Sequence, residues 1–338
     1  MELTTFWFLL ISILWIGYFF LEGFDFGVGM LLHSLSRDDV DRRVMVNTIA
    51  PVWDGNEVWL ITAGGATFAA FPYWYATLFS GFYLPLFLIL VALIIRGVAF
   101  EYRGKVDSVA WRRNWDLAIA IGSWVPAVLW GVAFANIVRG VPIDANGDYT
   151  GGFFTLLNPF ALLGGVMTAA LFVLHGANFL ALKSTGPVRD RARSLVRVAL
   201  PIAMVVVGVF LLINQLERGK GWTWIPLVAA LAALAGGLLA VRADRDGWAF
   251  AATGVAIAAT FIAIFGALFP AVMVSSTSDA FTLTTTNAAS TAYTLKIMTW
   301  VAVIMTPVVL VYQGWSYWVF RKRVTRGHIP AIHAPGSH

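Results

Sequence analysis

The stretch Ile49-Ala-Pro-Val-Trp-Asp-Gly-Asn-Glu-Val-Trp-Leu-Ile-Thr-Ala63 places two carboxylates, Asp54 and Glu57, at the start of an apolar segment. The chain around it has 338 residues, of which 59% are hydrophobic and only 12% are charged, whereas soluble domains are about 25% charged. This composition predicts an all-α polytopic membrane protein. An ionised side chain inside hydrocarbon costs several kcal/mol, so acids in a membrane segment indicate a function.

Nine apolar runs are each long enough, at about 20 residues, to cross a bilayer as a helix. They lie near residues 5–30, 48–70, 77–100, 114–138, 156–181, 195–215, 222–241, 247–272 and 294–320. Seventeen Lys and Arg lie in alternate loops and the C-terminal tail, and three lie in the opposite loops. This bias predicts an N-terminus outside and a C-terminus in the cytoplasm. It also explains the basic excess without a nucleic-acid partner.

A short internal similarity predicts how the spans are organised. Leu21-Glu-Gly-Phe-Asp-Phe26 and Leu174-His-Gly-Ala-Asn-Phe179 share Leu, Gly and Phe at the same spacing, and four spans separate them. We interpret this as a parallel repeat of two four-helix bundles plus a ninth helix, with chance identity as the alternative. The predicted units are a first bundle at 1–138, an external loop at 139–155, a second bundle at 156–272, an external Ser/Thr-rich loop at 273–293, the ninth helix at 294–320 and a basic, disordered cytoplasmic tail at 321–338.

Helical spacing brings the acidic residues of the first two spans together. Glu22 and Asp25 are three residues apart, as are Asp54 and Glu57, so each pair lies on one helix face. The first span carries its acids near its inner end and the second near its inner start, so all four converge toward the cytoplasmic face. Four carboxyls that close cannot all stay ionised in a low-dielectric site. Groups that hold a proton there predict a relay for proton uptake.

Three further side chains belong to the same region. Arg96, at the inner end of the third span, is a candidate charge partner for one of these acids. The alternative to a relay is that Arg96 neutralises one carboxylate while the others reach the interface. Trp53 and Trp59 bracket Asp54 and could line a quinone or a subunit contact, although Trp at span ends is typical of interface belts.

The sequence offers little for a metal or haem. The chain has no Cys, which excludes disulfides, thiolate metal sites, iron–sulfur clusters and covalent haem attachment. His175 lies within a span, but it has no clear axial partner, because His33 lies at or beyond the boundary and the other three His are in the tail. We therefore expect no haem or metal to be ligated by this chain.

Several sequence blocks resemble one known family. They are Gly23–Met30, Arg42–Gly65, Phe71-Pro72, Ser80–Tyr83, Arg96, Phe100–Arg103, Trp111–Asp116, Gly131–Asn136, Leu157–Phe160, Phe269-Pro270 and Met298–Trp300. Together they resemble subunit II of the cytochrome bd quinol oxidases over most of the chain, and the block Trp53-Asp-Gly-Asn56 is specific.

The resemblance implies a bacterial inner-membrane oxidase that oxidises quinol and reduces dioxygen to water. This chain would be a non-haem subunit that is not catalytic alone and is the obligate partner of a larger subunit I, on which two b-type haems and one d-type haem are expected. The family assigns Asp54 to a cytoplasmic proton-uptake path, whereas relatives are expected to carry Gln as well as Glu at position 57. Lipid, small accessory subunits and a bound quinone are further expected partners without assigned residues.

The residues alone leave two other functions open. A proton- or cation-coupled transporter would also need acids within spans, but its site is expected near the midplane at broken helices. A passive assembly subunit would have its acids neutralised in ion pairs. Replacement of Asp54 by Asn, which cannot titrate, would separate a relay from a passive subunit.

Overall fold

A computed structural model describes residues 2–329 of the chain, and these residues are mostly helical. The helices are α1 Leu3–Met30, α2 Leu32–Leu35, α3 Asp39–Ile49, α4 Trp53–Ala70, α5 Pro72–Gly81, α6 Tyr83–Tyr102, α7 Val109–Arg139, α8 Pro159–Lys183, α9 Pro187–Arg218, α10 Trp224–Arg242, α11 Asp246–Leu268 and α12 Ala292–Val319. Two short antiparallel strands, β1 Ala271–Met273 and β2 Leu283–Thr284, lie in the loop before α12.

Helix boundaries follow local capping chemistry. Ser108 precedes α7, and its hydroxyl accepts a hydrogen bond from the backbone N–H of Trp111. Asn158 caps α8 in the same way through Ala161, and Pro159 occupies the first helical position, where its missing N–H is not needed. A proline at the first position also begins α5 at Pro72, which separates this short helix from α4.

Eight helices of the described chain are long and apolar enough to cross a membrane: α1, α6, α7, α8, α9, α10 with the turn before it, α11 and α12. This confirms the prediction of a mainly helical chain with many candidate spans. The predicted second span, 48–70, corresponds to α4, which has 18 residues and begins with polar Asp54, Asn56 and Glu57. These residues lower its mean hydropathy, so the count of nine spans stays a prediction.

The centre of the fold is α1, which packs against α4, α7, α8 and α11. Glycine allows the closest of these approaches. A Cβ on Gly27 would lie 1.9 Å from the carbonyl oxygen of Phe172, and one on Gly176 would lie 2.4 Å from the backbone of Gly27. Helices of membrane proteins commonly use small residues to approach in this way. The contact joins the two similar segments, but the repeat and the division into two bundles stay predictions.

The loops separate into two groups at opposite ends of the bundle. At one end Arg103 contacts Asp39, and both Arg191 and Arg326 contact Asp41. We call this the basic end, because it gathers the Arg-rich connections and the start of the tail. At the other end the loops at 140–158 and 269–291 are joined by hydrogen bonds.

The described part of the tail packs against this basic end. The backbone N–H of Val324 donates to the carbonyl oxygen of Lys183 at 2.8 Å, and the Lys183 ammonium donates to the carbonyl oxygen of Phe320. Residues 330–338 of the predicted tail, including two of its three His, lie outside the described residues. Disorder of the tail therefore stays a prediction.

Candidate functional site

A buried polar cluster lies between α1, α4 and α6, close to the basic end. Glu22 and Asp25 lie in the buried C-terminal half of α1, Glu57 lies in the second turn of α4, and Arg96 lies near the end of α6. Glu22, Asp25 and Arg96 are fully buried, and the Glu57 side chain is 21% exposed. We call these four residues the acidic cluster.

Arg96 is the cation of the acidic cluster. Its Nη1 donates to Oε1 of Glu22 and, at 3.3 Å, to Oε1 of Glu57. The guanidinium also faces the rings of Phe26 and Phe100, with centroids 4.8 and 5.4 Å away. Within the described chain, its Nε and Nη2 and Oε2 of Glu22 have no hydrogen-bond partner. The guanidinium therefore uses only part of its hydrogen-bonding capacity.

Asp25 is bound by an amide instead of a cation. Its Oδ2 accepts a 2.6 Å hydrogen bond from Nδ2 of Asn56, and Oδ1 of Asn56 accepts a 2.7 Å hydrogen bond from the hydroxyl of Tyr317 on α12. Oδ1 of Asp25 has no hydrogen-bond partner within the described residues. The three side chains therefore form a hydrogen-bonded chain from α12 to the centre of the fold.

Asn56 and Tyr317 were not among the residues predicted from the sequence. A signal for Asn56 was available, because it is a polar amide between two acids in an apolar segment. No comparable signal marks Tyr317, since Tyr near the end of a span is typical of interface belts.

The charges in the acidic cluster are unbalanced. Glu22, Asp25 and Glu57 bring three carboxyl groups, whereas Arg96 brings one positive charge. A buried charge is tolerated when it is paired and hydrogen-bonded, and an unpaired one is very costly. Single protonations can therefore change the charge of the cluster without breaking the pair between Arg96 and Glu22. This is the property required of a site that accepts and releases protons.

Asp54 occupies a different position from the other predicted acids. It is exposed, and it lines a groove of about 800 Å³ between α4 and α12. Asn56 and Tyr317 line the same groove. The pair Asp54 and Glu57 therefore divides between two sites, with Asp54 in the groove and Glu57 beside Arg96. The groove and the hydrogen-bonded chain together connect the surface near Asp54 with buried Asp25.

The two predicted lining tryptophans have different surroundings. Trp53 packs on the ring of Phe100, with centroids 5.1 Å apart, and the Arg96 guanidinium faces this same ring. Trp59 donates from its indole nitrogen to Oε1 of Gln313 at 2.8 Å, and its ring lies where a Cβ on Gly17 would be. Trp59 also lines the groove that contains Asp54.

His175 is held by polar groups on both sides of its ring. Its Nδ1 lies 2.7 Å from the hydroxyl of Thr253, and its Nε2 lies 3.1 Å from the carbonyl oxygen of Phe20. The imidazole stacks on Phe250 at 4.5 Å and an angle of 8°. Both ring nitrogens are therefore occupied, which does not fit axial ligation of a haem. In the part of the chain that the structure describes, no group of three His, Cys, Asp or Glu is arranged to hold a metal ion.

Comparison with known proteins gives consistent matches. The family model for cytochrome bd terminal oxidase subunit II matches residues 3–320. "Cytochrome bd ubiquinol oxidase subunit 2" of Bacillus subtilis (strain 168) is 44% identical over 330 residues, which cover 96% of this chain and 97% of that protein. "Cytochrome bd-I ubiquinol oxidase subunit 2" of Escherichia coli (strain K12) is 40% identical, with 96% and 95% covered. The structure of bd oxidase from Geobacillus thermodenitrificans has a similar fold, with a TM-score of 0.77, 17% identity, and 95% of this chain and 100% of that chain covered.

Proposed function

The chain belongs to the cytochrome bd terminal oxidase subunit II family, and we propose that in its oxidase the acidic cluster delivers protons for the reduction of dioxygen. The chain is a subunit of a quinol-oxidising oxidoreductase complex. The observation that supports the proton-delivery role is the unequal count of three buried or nearly buried carboxyls around one Arg96. A subunit with a purely structural role has no need for this excess of acid.

The proposed path begins in the groove at Asp54. The carboxylate of Asp54 collects protons at the surface, and the groove leads to Tyr317 and Asn56, which hold Asp25 by the hydrogen bonds described above. Asp25, Glu57 and Glu22 then hold the protons that pass toward the partner subunit. Neither Asn56 nor Tyr317 has to ionise in this scheme, because both line the groove and their hydrogen bonds position Asp25 next to it.

The direction of proton uptake depends on membrane orientation. The excess of Lys and Arg at the basic end predicts that this end, and with it the acidic cluster, faces the cytoplasm of a bacterial inner membrane. Quinol oxidation would release protons outside, whereas water formation would draw them from the cytoplasm. The reaction would then be electrogenic without any proton crossing the whole membrane in this subunit.

The redox chemistry is assigned to the partner. We propose that subunit I holds the two b-type haems and the d-type haem, because both ring nitrogens of His175 are already occupied in this chain. Subunit I would supply the oxidation of quinol and the reduction of dioxygen, while this chain scaffolds it. A bound quinone and small accessory subunits remain expectations of the family without residues assigned to them.

Of the alternatives, only the passive assembly subunit has a structural observation in its favour. Arg96 contacts two of the three acids in the acidic cluster, and these contacts would neutralise part of the negative charge of the cluster. Asp25 does not share this contact, since its described partner is Asn56. Family membership and the position of the acids near the basic end both argue against a transporter.

The decisive experiment replaces Asp25 and Asp54 separately with Asn in the assembled, fully haem-loaded oxidase. We expect oxygen consumption per haem to fall by about tenfold or more in each variant, since proton transfer through a positioned group contributes about 10² to 10⁴ in rate. Asp107→Asn is the matched control, because Asp107 lies at the same end but is 60% exposed and pairs with Arg112. Unchanged oxygen consumption in both the Asp25→Asn and the Asp54→Asn variant would favour the passive subunit.

A visible absorption spectrum tests the division of labour. The chain purified alone should be colourless, and haem absorption should appear only when it is expressed with subunit I. Haem retained by the isolated chain would contradict this assignment.

A further inference from the structure

A second cavity lies between α1, α8, α11 and α12, and Trp59 lines both this cavity and the groove that contains Asp54. Its volume is about 790 Å³. Its walls are mostly apolar and include Ile13, Ile16, Phe20, Phe24, Phe250 and Leu310. The wall on α1 extends from Ile13 to Phe24, a length of about 16 Å along the helix axis. We call this space the lateral cavity.

One end of the lateral cavity carries positive charge. Lys183, Arg321 and Arg323 line it at the basic end. Arg321 donates to the carbonyl oxygen of Trp318, and Arg323 donates to that of Leu182. Lys183 donates to the carbonyl oxygens of Phe320 and Lys322. These bonds fix the three cations in place without neutralising any of them.

No nearby carboxylate within the described residues balances these charges closely. Among the described residues, the only carboxylate within 4.0 Å of the charged nitrogens of these three side chains is that of Asp246, whose Oδ2 lies 3.8 Å from Arg323. Asp246 is already paired with Arg189 at 2.7 Å and with Arg193 at 2.6 Å. The end of the lateral cavity therefore has an excess of positive charge next to a long apolar wall.

We propose that the lateral cavity binds an anionic phospholipid, with an acyl chain along α1 and the phosphate beside Lys183, Arg321 and Arg323. Basic pockets between membrane helices bind anionic head groups, and each cation near the surface strengthens such binding. A neutral quinone head would leave the charges unbalanced. The apolar face of a helix from another protein would likewise not satisfy three cations.

The packing of α12 gives this lipid a structural role. Only 6% of the apolar window of α12 is buried, compared with 72% for α8. Gln313, Gly314 and Tyr317 of α12 line the lateral cavity, so a bound acyl chain would fill the space between α12 and α1. The lipid would thereby hold Tyr317 where it contacts Asn56.

Gly314 offers a direct way to block the cavity. A Cβ at this position would meet no heavy atom within 4 Å, so a side chain can be attached there without a clash at the backbone. Gly236 of α10 is equally open and exposed, and it does not line the lateral cavity. Gly314→Phe and Gly236→Phe are therefore a matched pair.

The test is native mass spectrometry of the intact, delipidated oxidase titrated with dioleoyl phosphatidylglycerol or with dioleoyl phosphatidylcholine, which has the same acyl chains. We expect one tightly bound phosphatidylglycerol and much weaker binding of phosphatidylcholine. The double variant Lys183→Gln with Arg323→Gln should bind phosphatidylglycerol at least about tenfold more weakly. Lys322→Gln is the charge control, because the Lys322 side chain does not line the cavity.

The phenylalanine pair separates the cavity from general surface binding. Gly314→Phe should abolish the tight phosphatidylglycerol site, and Gly236→Phe should leave it intact. Equal binding of the two lipids by the unmodified oxidase would overturn the proposal, as would tight binding that survives Gly314→Phe. A quinone that occupies the site and is displaced by neither lipid would also overturn it. The comparison of the two lipids uses only the unmodified complex, so it still tests the proposal if a variant fails to assemble.

Discussion

The acidic cluster and the ion pairs at the basic end use the same residue types in opposite proportions. At the basic end each buried carboxylate has more than one arginine: Asp116 contacts Arg103 and Arg42, and Asp41 contacts Arg191 and Arg326. In the acidic cluster three carboxyls share Arg96. Arginine is thus in excess in one region and acid in the other.

In the function proposed above, this difference separates a structural role from a proton-carrying one. A carboxylate that contacts two guanidiniums is fully paired and fixes the connections between helices. A carboxyl without a cation of its own, such as Asp25, can change protonation state while its amide partner stays in place. Variants in the two regions should therefore affect different measurements, stability in one and turnover in the other.

The largest effect is expected from Arg96→Gln, which removes the only described cation of the acidic cluster. Removal of one partner from a buried ion pair typically costs about 3–5 kcal/mol, because the remaining charge is unpaired. We expect little or no haem-loaded complex to assemble, measured as haem absorption per purified protein. Arg112→Gln is the control, since its partner Asp107 is 60% exposed.

A second variant tests the cause of this loss. When Glu22→Gln is combined with Arg96→Gln, both charges of the closest pair disappear, and assembly should recover in part. Normal assembly of Arg96→Gln alone would mean that the cluster does not need its cation. The contrast with the basic end, where arginines are in excess, would then fail.

A smaller effect is expected from Asp116→Asn at the basic end. Arg103 loses its bidentate partner but keeps Asp39 at 2.7 Å, so we expect a loss of roughly 1–2 kcal/mol in stability. Thermal inactivation of the complex should occur at a lower temperature, while oxygen consumption per haem should be unchanged. Asp25→Asn should give the reverse pattern. If both variants lowered turnover equally, the two regions would not differ in role.

The sequence was sufficient to predict most of the long helices and the proximity of Glu22, Asp25 and Glu57, but not the separate position of Asp54. Long apolar runs predicted α1 and α6–α12, because a helix that crosses lipid needs an uninterrupted apolar stretch. The majority of the predicted ends lie within a few residues of the observed ends. The helical spacing of Glu22 and Asp25 placed both on the buried face of α1. Arg96 was assigned to the same region because consecutive spans alternate in direction.

Contacts between distant helices could not be predicted in this way. Tyr317 reaches Asn56 only because α12 lies beside α4, and no pattern in the sequence of either helix predicts that the two helices are neighbours. Asp54 and Glu57 are close on α4 by spacing, yet Asp54 lies in the groove and Glu57 lies beside Arg96. The breaks on either side of α5, at residues 71 and 82, also depend on packing and were absorbed into the apolar runs.

The smallest effect concerns Asp38, which joins the tail to the basic end. Burial alone would raise the pKa of Asp38, but hydrogen bonds from the backbone N–H of Asp41 and from Arg326 at 2.6 Å hold this pKa below its ordinary value. A lowered pKa in the folded state means that ionised Asp38 stabilises the contact above about pH 4. This stabilisation is lost as the pH falls through the folded-state pKa.

Asp38→Asn tests this contact, because Asn still caps α3 but cannot carry the charge that pairs with Arg326. Asp38 is about half exposed, so solvent screening keeps the effect below about 1 kcal/mol. Near pH 7 we expect amide hydrogen exchange in residues 321–329 of the intact complex to be about twofold to fivefold faster than in the unmodified protein. After correction for intrinsic exchange, the two proteins should converge well below pH 4, where Asp38 of the unmodified protein is protonated and, like the Asn of the variant, carries no charge. A difference that persisted in acid would show that the carboxylate charge does not hold the tail, and the basic end would then be less dependent on ion pairs than its geometry indicates.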